Sequence, residues 1–566
     1  MRFPLDPDRF EYFINKYNLV ELNPRYASVV PNLRHGYTFG ISPLPPTSAS
    51  FIPPNRVRNE KEAAVLVANA KKLKDEGKAY GGFPQKDVEE IAGPLQASAM
   101  TPIPKAPLPG KPERWRTIED FSAPYQPDGS SSPLAVNSDI DKHLFPASWK
   151  TFHDVAAFYR SLPSHAVVFG ADFQDGFEHL EVHPSVRARL VFHLPEEGIN
   201  IRNAAPFGIR SIPGEFSTAT EVTIDITVAY FGGRVRALNH MDDLTIAILD
   251  PSLDFMDVIK FIESLGWVFN AAKTTLPSRT PTHIGLEWNL DDLTVSLKED
   301  KRIKYIGKVD AALEAFNADK AIMLRDVESL TGCLQYVAFV KRDLRPRLRV
   351  LYRFRASFTA RYKPRHLREN EVRTLRWWKT FLSAGPVIAS FADLPPSVDA
   401  IFASDASNEA IGIFYKAPHQ PFPLVAAFKL LQDWRIKLDA YIGSAESWGV
   451  EALLDLIVRL DIRDATVTLL CDNMNIVDGW SRGWSQNALN NASFARMFDV
   501  ADKAGLHLEI EYIATDLNPA DEVSRCKLPA GARCLPEDLF PSPPPGCEGG
   551  PDPLLLSSYF PIPDVV

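Results

Sequence analysis

Asp242 and Asp243 stand side by side in the run Asn239-His240-Met241-Asp242-Asp243-Leu244, between two apolar, β-rich segments. Adjacent acids between two strands read as a hairpin tip that presents carboxylates. Taken alone, such a pair is usually just a turn. Upstream, however, Asp172 ends an apolar strand (Ala166, Val167, Val168, Phe169) within FGADFQDGFEHLEVHP. An acid at a strand end, followed by a second acid-bearing hairpin, is the donor set a two-metal centre requires. Phosphoryl transfer uses two divalent ions about 3.5–4 Å apart, one activating the attacking oxygen and one steadying the leaving group. Convergent carboxylates hold such hard cations through oxygen, and they accept Mg²⁺ or Mn²⁺.

A second set of acids lies nearer the C-terminus. Asp405 falls in a first strand (IFASDASNEAIGIF) and Glu446 opens a helix (SAESWGVEALLDLI). Asp472 follows an apolar strand (VTLLCDNMN), and Asp521 begins another helix (NPADEVSR). Four carboxylates in this order can converge on one edge of a sheet. That suits two-metal hydrolysis, in which one ion lowers the pKa of the attacking water. Singly, each has a plainer reading: Asp521 as a helix N-terminal acid favoured by the dipole, and Asp472 as a turn former.

The elements that must position these acids follow an α/β (α+β) pattern. Residues 101–300 alternate short β-rich runs (HAVVFGADF, RVRALNHMDDLTIAIL) with longer helical patterns. Residues 301–395 are helical in pattern, KYIGKVDAALEAF and RDVESLTGCLQYVAF showing apolar spacing of period 3.6. A second α/β unit occupies 396–528. Before these lies an N-terminal extension, 1–100, with a helix-like run (EKEAAVLVANAKKLKDEGKAYGG) that ends in glycines. The tail, 529–566, is proline-rich, expected to be extended or disordered, and of a composition that can dock on a partner protein.

At 566 residues the chain is too long for one core, and length suggests about three or four domains. No apolar run approaches the roughly 18 residues of a membrane span, so no membrane partner is expected. The N-terminus, MRFPLDPDRFEYF, has charges and prolines where a signal peptide is apolar. The cysteines, 5 in number, form no CxxC pair. Both features lead to an expected intracellular location, cytoplasm or nucleus. A net charge of −9 argues mildly against a polyanionic partner. Locally the charge reverses: between Lys341 and Arg368 many basic residues stand against one acid, Asp343, with Tyr352, Phe354, Phe358 and Tyr362 interleaved. Arg345, Arg347, Arg349, Arg353 and Arg355 are accordingly expected to bind a nucleic-acid backbone. The plainer reading is a solvated helix face.

Taken together, the motifs resemble those of reverse transcriptases. FGADFQDGFEHLEVHP resembles motif A, and NHMDDL is similar to the tyrosine-methionine-aspartate-aspartate box. The run Pro206 to Pro213 resembles motif B, Leu265 to Lys273 motif D, and His283 to Leu286 the primer-grip motif E. Lys111 to Phe121 is similar to the fingers segment. The resemblance, over roughly residues 100–525, implies a right-hand polymerase of fingers, palm and thumb followed by a ribonuclease H-like α/β domain. It makes Asp172, Asp242 and Asp243 metal-binding carboxylates, and Phe177 the aromatic that crowds a 2′-hydroxyl. Phe207 and Gly208 would lie beside the incoming nucleotide, where glycine lets backbone approach closely. Arg116 and Lys111 would pair with the triphosphate, and Lys273 would donate a proton to pyrophosphate or bind its charge. Asp405, Glu446, Asp472 and Asp521 resemble the catalytic acids of ribonuclease H, and Asn518 to Arg525 matches the ending seen in retroelements.

The implied activity is RNA-directed, and DNA-directed, DNA synthesis with ribonuclease H cleavage. Two Mg²⁺ or Mn²⁺ ions per site are implied as cofactors. The implied partners are RNA and DNA template-primers, RNA–DNA hybrids and deoxynucleoside triphosphates. The alternative is a retroelement-derived scaffold that binds nucleic acid without catalysis. RTIEDFSAP, LAVN, LGWVFNAAKTTLPS and Trp377-Trp378 resemble the DIRS-like, tyrosine-recombinase group of retrotransposons. There are departures: His240 replaces the common tyrosine, Gly176 stands where alanine is usual, and Tyr512 takes the place of a histidine that assists product release. No carboxylate is lost.

Overall fold

The computed structural model describes residues 5–105, 113–123, 135–431, 442–544 and 547. Lys111 and residues 548–566 therefore lie outside the described residues. The chain forms two units, Met1–Asp292 and Leu293–Val566.

The first unit begins with α1 (Pro7–Lys16), α2 (Val29–His35), α3 (Glu60–Asp75), β1 (Ala79–Phe83), β2 (Met100–Pro104) and β3 (Trp115–Glu119). It continues with α4 (Phe152–Arg160), β4 (Val167–Asp172), β5 (Val191–Leu194), β6 (Gly198–Arg202) and α5 (Ile212–Phe231). It ends with β7 (Val235–His240), β8 (Asp243–Ile248), α6 (Phe255–Ser264), β9 (Thr282–His283) and β10 (Leu286–Asn289). The sheet that carries the acids is antiparallel in the order β4-β8-β7. Strand β8 reads Leu-Thr-Ile-Ala-Ile after its acid and is buried along that length, as a central strand must be.

Helix α5 packs against β7 and is buried nearly all round, so its sequence has little amphipathic pattern. Its buried threonines are satisfied locally. Thr223 and Thr227 each return the hydroxyl to a carbonyl one turn back, at 2.7 Å. A second sheet, β1-β6-β5, stands apart from the first. Beside it, Arg202 of β6 and Glu119 of β3 form an ion pair with side chains 6% and 3% exposed.

The stretch read from sequence as an N-terminal extension is built into this unit. Strand β1 pairs with β6, and Phe10 and Phe13 of α1 enter the core, Phe13 edge-on to Phe261 at 5.5 Å.

The second unit opens with β11 (Thr294–Leu297), α7 (Glu299–Asn317), α8 (Leu324–Val340), α9 (Arg349–Ala356), α10 (Glu369–Ala384) and β12 (Ile388–Ser390). It continues with β13 (Ile401–Ala406), β14 (Ala410–Lys416), β15 (Leu424–Lys429), α11 (Ile442–Arg459), β16 (Thr466–Cys471) and α12 (Met474–Arg482). Last come α13 (Ala488–Ala504), β17 (His507–Tyr512), α14 (Asp521–Ser524) and β18 (Arg533–Cys534). The sheet order is β17-β16-β13-β14-β15-β18. Strands β13, β14 and β15 form an antiparallel meander, and β16 and β17 join β13 in parallel.

The tail departs from expectation over residues 529–544. Strand β18 adds to the sheet beside β15, Leu535 and Phe540 are buried, and Phe540 meets Phe428 at 5.3 Å. These apolar anchors dock a segment that its proline content alone marks as loose. Both units are thus mixed α/β, the class expected from sequence. Among the described residues, no helix is long and apolar enough to cross a membrane.

Candidate active sites

In the first unit, backbone register brings the acids together. Asp172, last residue of β4, lies directly opposite Asp243, first residue of β8, and His240 of β7 opposes Asp243 from the other side. Met241 and Asp242 form the turn between β7 and β8, and Met241 has φ 56°. A two-residue hairpin with positive φ at its first central position ordinarily takes glycine there. A buried methionine in this place means the acid-bearing turn stores backbone strain that the core must hold.

Electrostatics mark the same spot. Burial, followed by the charges of Asp242 and Asp172, pushes Asp243 up to about 6. Asp242 is also raised, by burial and then by Asp172. Lys273 Nζ donates to Asp172 Oδ1 at 2.7 Å, and this bond raises the ammonium above its ordinary value. Three acids that repel one another, with a cation already drawn to one of them, form an oxygen donor set that fits a divalent ion.

The Phe177 ring contacts Phe207 and Phe216, each at 5.0 Å between centroids, and Phe207 is 58% exposed. Gly208 has φ 112°, and a Cβ there would stand 3.3 Å from the Glu119 carbonyl. Arg116 is exposed on β3. Gly176 has a local explanation: an added Cβ would meet Phe216 Cζ at 3.0 Å and Asp242 Cβ at 3.3 Å. An alanine at that position would press on the acid-bearing turn. His240 lies against the Trp149 ring at 5.4 Å.

Two supporting residues escaped sequence reasoning. Asn137 donates to the Gly208 carbonyl at 3.0 Å and accepts from the Arg210 amide at 2.9 Å, clamping the turn at Gly208. His179 is buried, accepts from the Val268 amide at Nε2 (3.2 Å) and bonds the Gly176 carbonyl through Nδ1 (3.1 Å). It thereby ties the Phe177 loop to the segment leading to Lys273. Asn137 lies in LAVN, which served only to suggest a subgroup, and a lone histidine carries no signal of this kind.

In the second unit the parallel register of β13 and β16 pairs Ser404 with Cys471, so Asp405 and Asp472 follow side by side. Glu446, on α11, approaches from the covering helix. It is buried, its Oε2 has no hydrogen-bond partner among the described residues, and it shares with Asp472 and Cys471 a set of ligand atoms within 4.8 Å. Burial, then the charges of Asp405 and Asp472, holds Glu446 well above the carboxylate range. Burial and the charges of Asp472 and Asp521, against a Ser524 bond, push Asp405 up to about 6. An orphaned carboxylate oxygen facing two further acids is what a divalent cation would satisfy. Burial raises the Cys471 thiol above its ordinary value, and its soft sulfur suits a hard ion less well than the carboxylate oxygens beside it.

Asp521 heads α14 and pairs with Arg525 at 2.8 Å. Its position depends on Gly412, which sequence reasoning did not single out. A Cβ on Gly412 would lie 2.4 Å from the Ser524 amide nitrogen and 2.9 Å from the Ala520 carbonyl. The α14 backbone therefore rests directly on β14. Asn518 secures it by donating to the Ser404 carbonyl at 3.0 Å, and Ser524 donates to Asp405 Oδ2 at 2.5 Å. Tyr512 ends β17, half exposed, paired in register with Cys471.

The basic stripe is engaged inside its own unit to an extent the sequence did not suggest. Arg345 donates to the Arg482 carbonyl at 2.9 Å, Arg347 pairs with Asp499 at 2.6 Å, and Arg349 bonds the Gln486 carbonyl at 3.0 Å through Nε. These three fasten the helical segment to α12, α13 and the loop between them. Arg353 and Arg355 point outward at the surface. The five expected as one phosphate-binding stripe thus divide into three structural and two exposed residues.

No protein-family model matches the chain, and no curated protein matches it. Solved structures do. The foamy viral protease-reverse transcriptase in complex with an RNA/DNA hybrid is similar with a TM-score of 0.45 and 13% identity, over 86% of this chain and 57% of that one. This chain thus spans a little over half the length of that neighbour. The same kind of protein in complex with dsDNA is similar with a TM-score of 0.43 and 14% identity, over 89% of this chain and 96% of that one.

Proposed function

We propose that the protein is an RNA-directed, and DNA-directed, DNA polymerase whose second unit cleaves RNA in RNA–DNA hybrids. The single observation that carries this reading is the antiparallel register of β4 and β8, which sets Asp172 opposite Asp243 with Asp242 in the adjoining turn. Asp172, Asp242 and Asp243 would hold two divalent ions, Mg²⁺ or Mn²⁺, in the first centre. Asp405, Glu446, Asp472 and Asp521 would hold the pair in the second. The ions, when bound, supply Lewis acidity at the attacking and leaving oxygens.

The protein's own residues do the rest. Arg116, exposed on β3, would meet a triphosphate, and Gly208 leaves room for backbone to approach the nucleotide. Phe177, packed on Phe207 and Phe216, walls the space a ribose 2′-hydroxyl would need. Lys273 is held within reach of the acids by Asp172, from where it can neutralise or protonate pyrophosphate. The motifs quoted above favour an origin in a DIRS-like retrotransposon, acting inside the cell on deoxynucleoside triphosphates and a primed RNA or DNA template.

The test is primer extension on an RNA template with deoxynucleotides and Mg²⁺, native protein against Asp242→Asn, beside cleavage of a labelled hybrid, native against Asp472→Asn. Each substitution should remove its own activity by several orders of magnitude and spare the other. No extension by folded native protein with either metal would instead favour a nucleic-acid-binding scaffold. Loss of both activities from one substitution would refute two independent centres.

A further inference from the structure

The second unit contains a cavity of about 670 Å³ remote in sequence from its acids, between α9, the first turns of α10, and α13. Six arginines line it: Arg347, Arg349, Arg353, Arg365, Arg368 and Arg373. The single acid in the lining is Glu371, and it accepts the Arg368 backbone amide at 2.9 Å. Three of the guanidinium groups are held from within: Arg347 by Asp499, Arg349 by the Gln486 carbonyl, and Arg365 by the Ser357 carbonyl at 2.9 Å. Arg353, Arg368 and Arg373 are exposed, and none has an ion-pair partner among the described residues. Burial first, and then the charge of Arg353 one turn away on the same helix, lowers Arg349 from its ordinary value.

A folded protein that gathers like charges around a concave space has a field that an anion would relieve. Guanidinium forks match phosphate oxygens in pairs. Nucleic-acid strands usually also find an aromatic platform for their bases. Here both aromatic rings in the lining are already engaged: Phe354 is buried against Phe358 at 5.3 Å, and Trp377 has Arg347 over it at 3.9 Å and Phe381 stacked on it at 5.4 Å and 9°. On the far wall α13 presents Ala488, Ala492 and Ala495, which leave room but offer no base recognition. The volume falls in the range of about 300–1,000 Å³ that small-molecule sites occupy.

We propose that this cavity binds a compact anion carrying several adjacent phosphate groups. Arg353, Arg368 and Arg373 supply the free charges, and Arg347 and Arg349 form the fixed floor. The shared chemistry is that of linked or vicinal phosphates, whether an inorganic chain, a nucleotide triphosphate or a phosphorylated polyol. The site is independent of both carboxylate centres and needs no divalent ion.

The test is titration calorimetry on the full chain in EDTA at low ionic strength, so that no metal–phosphate complex contributes. Tripolyphosphate, adenosine triphosphate and inositol hexakisphosphate are separate arms that distinguish the sources, with orthophosphate as the single-phosphate comparison. At least one polyphosphate should bind saturably, one per chain, and more tightly than orthophosphate. Arg368→Gln with Arg373→Gln should weaken it roughly 10-fold or more per arginine removed. Arg376→Gln, on the same helix but outside the cavity, should leave it unchanged, and lysine at 368 and 373 should restore part of it. Circular dichroism checks that each variant is folded. Three outcomes would overturn the proposal: no saturable polyphosphate binding to folded protein, equal binding by native and double variant, or loss of single-stranded oligonucleotide binding in the double variant with no competition from polyphosphate. The last would make the cavity part of a nucleic-acid track.

Discussion

His179 offers a prediction whose size follows from its surroundings. Its Nε2 accepts the Val268 amide, so that nitrogen carries no proton, and Nδ1–H is left to donate to the Gly176 carbonyl. Trp267 covers it at 5.0 Å. Burial is the main reason its pKa is lowered from 6.5 to about 4. Between those values the unfolded chain binds a proton that the folded chain does not, so stability rises with pH through the window. The contribution is fully present above pH 6.5 and is lost as pH falls toward 4. At 1.36 kcal/mol per pH unit, a gap of this size amounts to about 3 kcal/mol.

The perturbation is His179→Gln, which removes the titration and can keep one bond at a time. Urea unfolding of native and variant protein, followed by circular dichroism at pH 7.5 and pH 4.5, gives the difference in stability at each pH. Other titrating groups cancel in that difference, which should shrink by about 2–3 kcal/mol on acidification. Because His179 ties the Phe177 loop to the segment before Lys273, His179→Gln should also lower primer extension at pH 7.5, where the variant is still folded. A stability difference that is the same at both pH values, or a histidine resonance assigned to His179 that titrates above pH 6, would refute the reasoning.

Other expectations can be checked alongside. Glu119→Ala takes the nearer carboxylate from buried Arg202 and leaves Glu178 at 3.8 Å, so it should cost about 2–3 kcal/mol in urea unfolding, whereas most surface ion pairs would cost less than 1. Gly412→Ala drives a methyl into the α14 backbone, so hybrid cleavage should drop at least about 10-fold while primer extension on the same preparation is retained. Phe177→Ala should chiefly relax sugar choice, seen as a rise in ribonucleotide incorporation relative to deoxynucleotide, with the extension rate on deoxynucleotides changed less. An unchanged sugar preference would make Phe177 a core aromatic.

The acids themselves were legible in the sequence because these carboxylates sit where a change of period is easiest to see, at the ends of apolar strands. Asp172, Asp242, Asp243, Asp405 and Asp472 are each flanked by β-patterned runs, and the α/β class follows from the same periodicities. What pairs with what was not legible. That Asp172 faces Asp243, and that Asp405 neighbours Asp472, depends on strand register between segments far apart in the chain. Register is fixed by packing on both faces of the finished sheet.

The supporting residues were hidden for the same reason. Asn137, His179 and Gly412 act through backbone groups of distant segments, and nothing in their neighbours announces it. Composition misled in two places. A proline-rich stretch read as loose is anchored by Leu535 and Phe540, and a run of arginines read as one surface is divided by Asp499 and by the carbonyls of Arg482 and Gln486. By itself, then, the sequence determined which side chains could hold metal and which strands could carry them. The tertiary structure decided which of them meet and which positive charges remain unpaired, because both depend on long-range burial that no local pattern encodes.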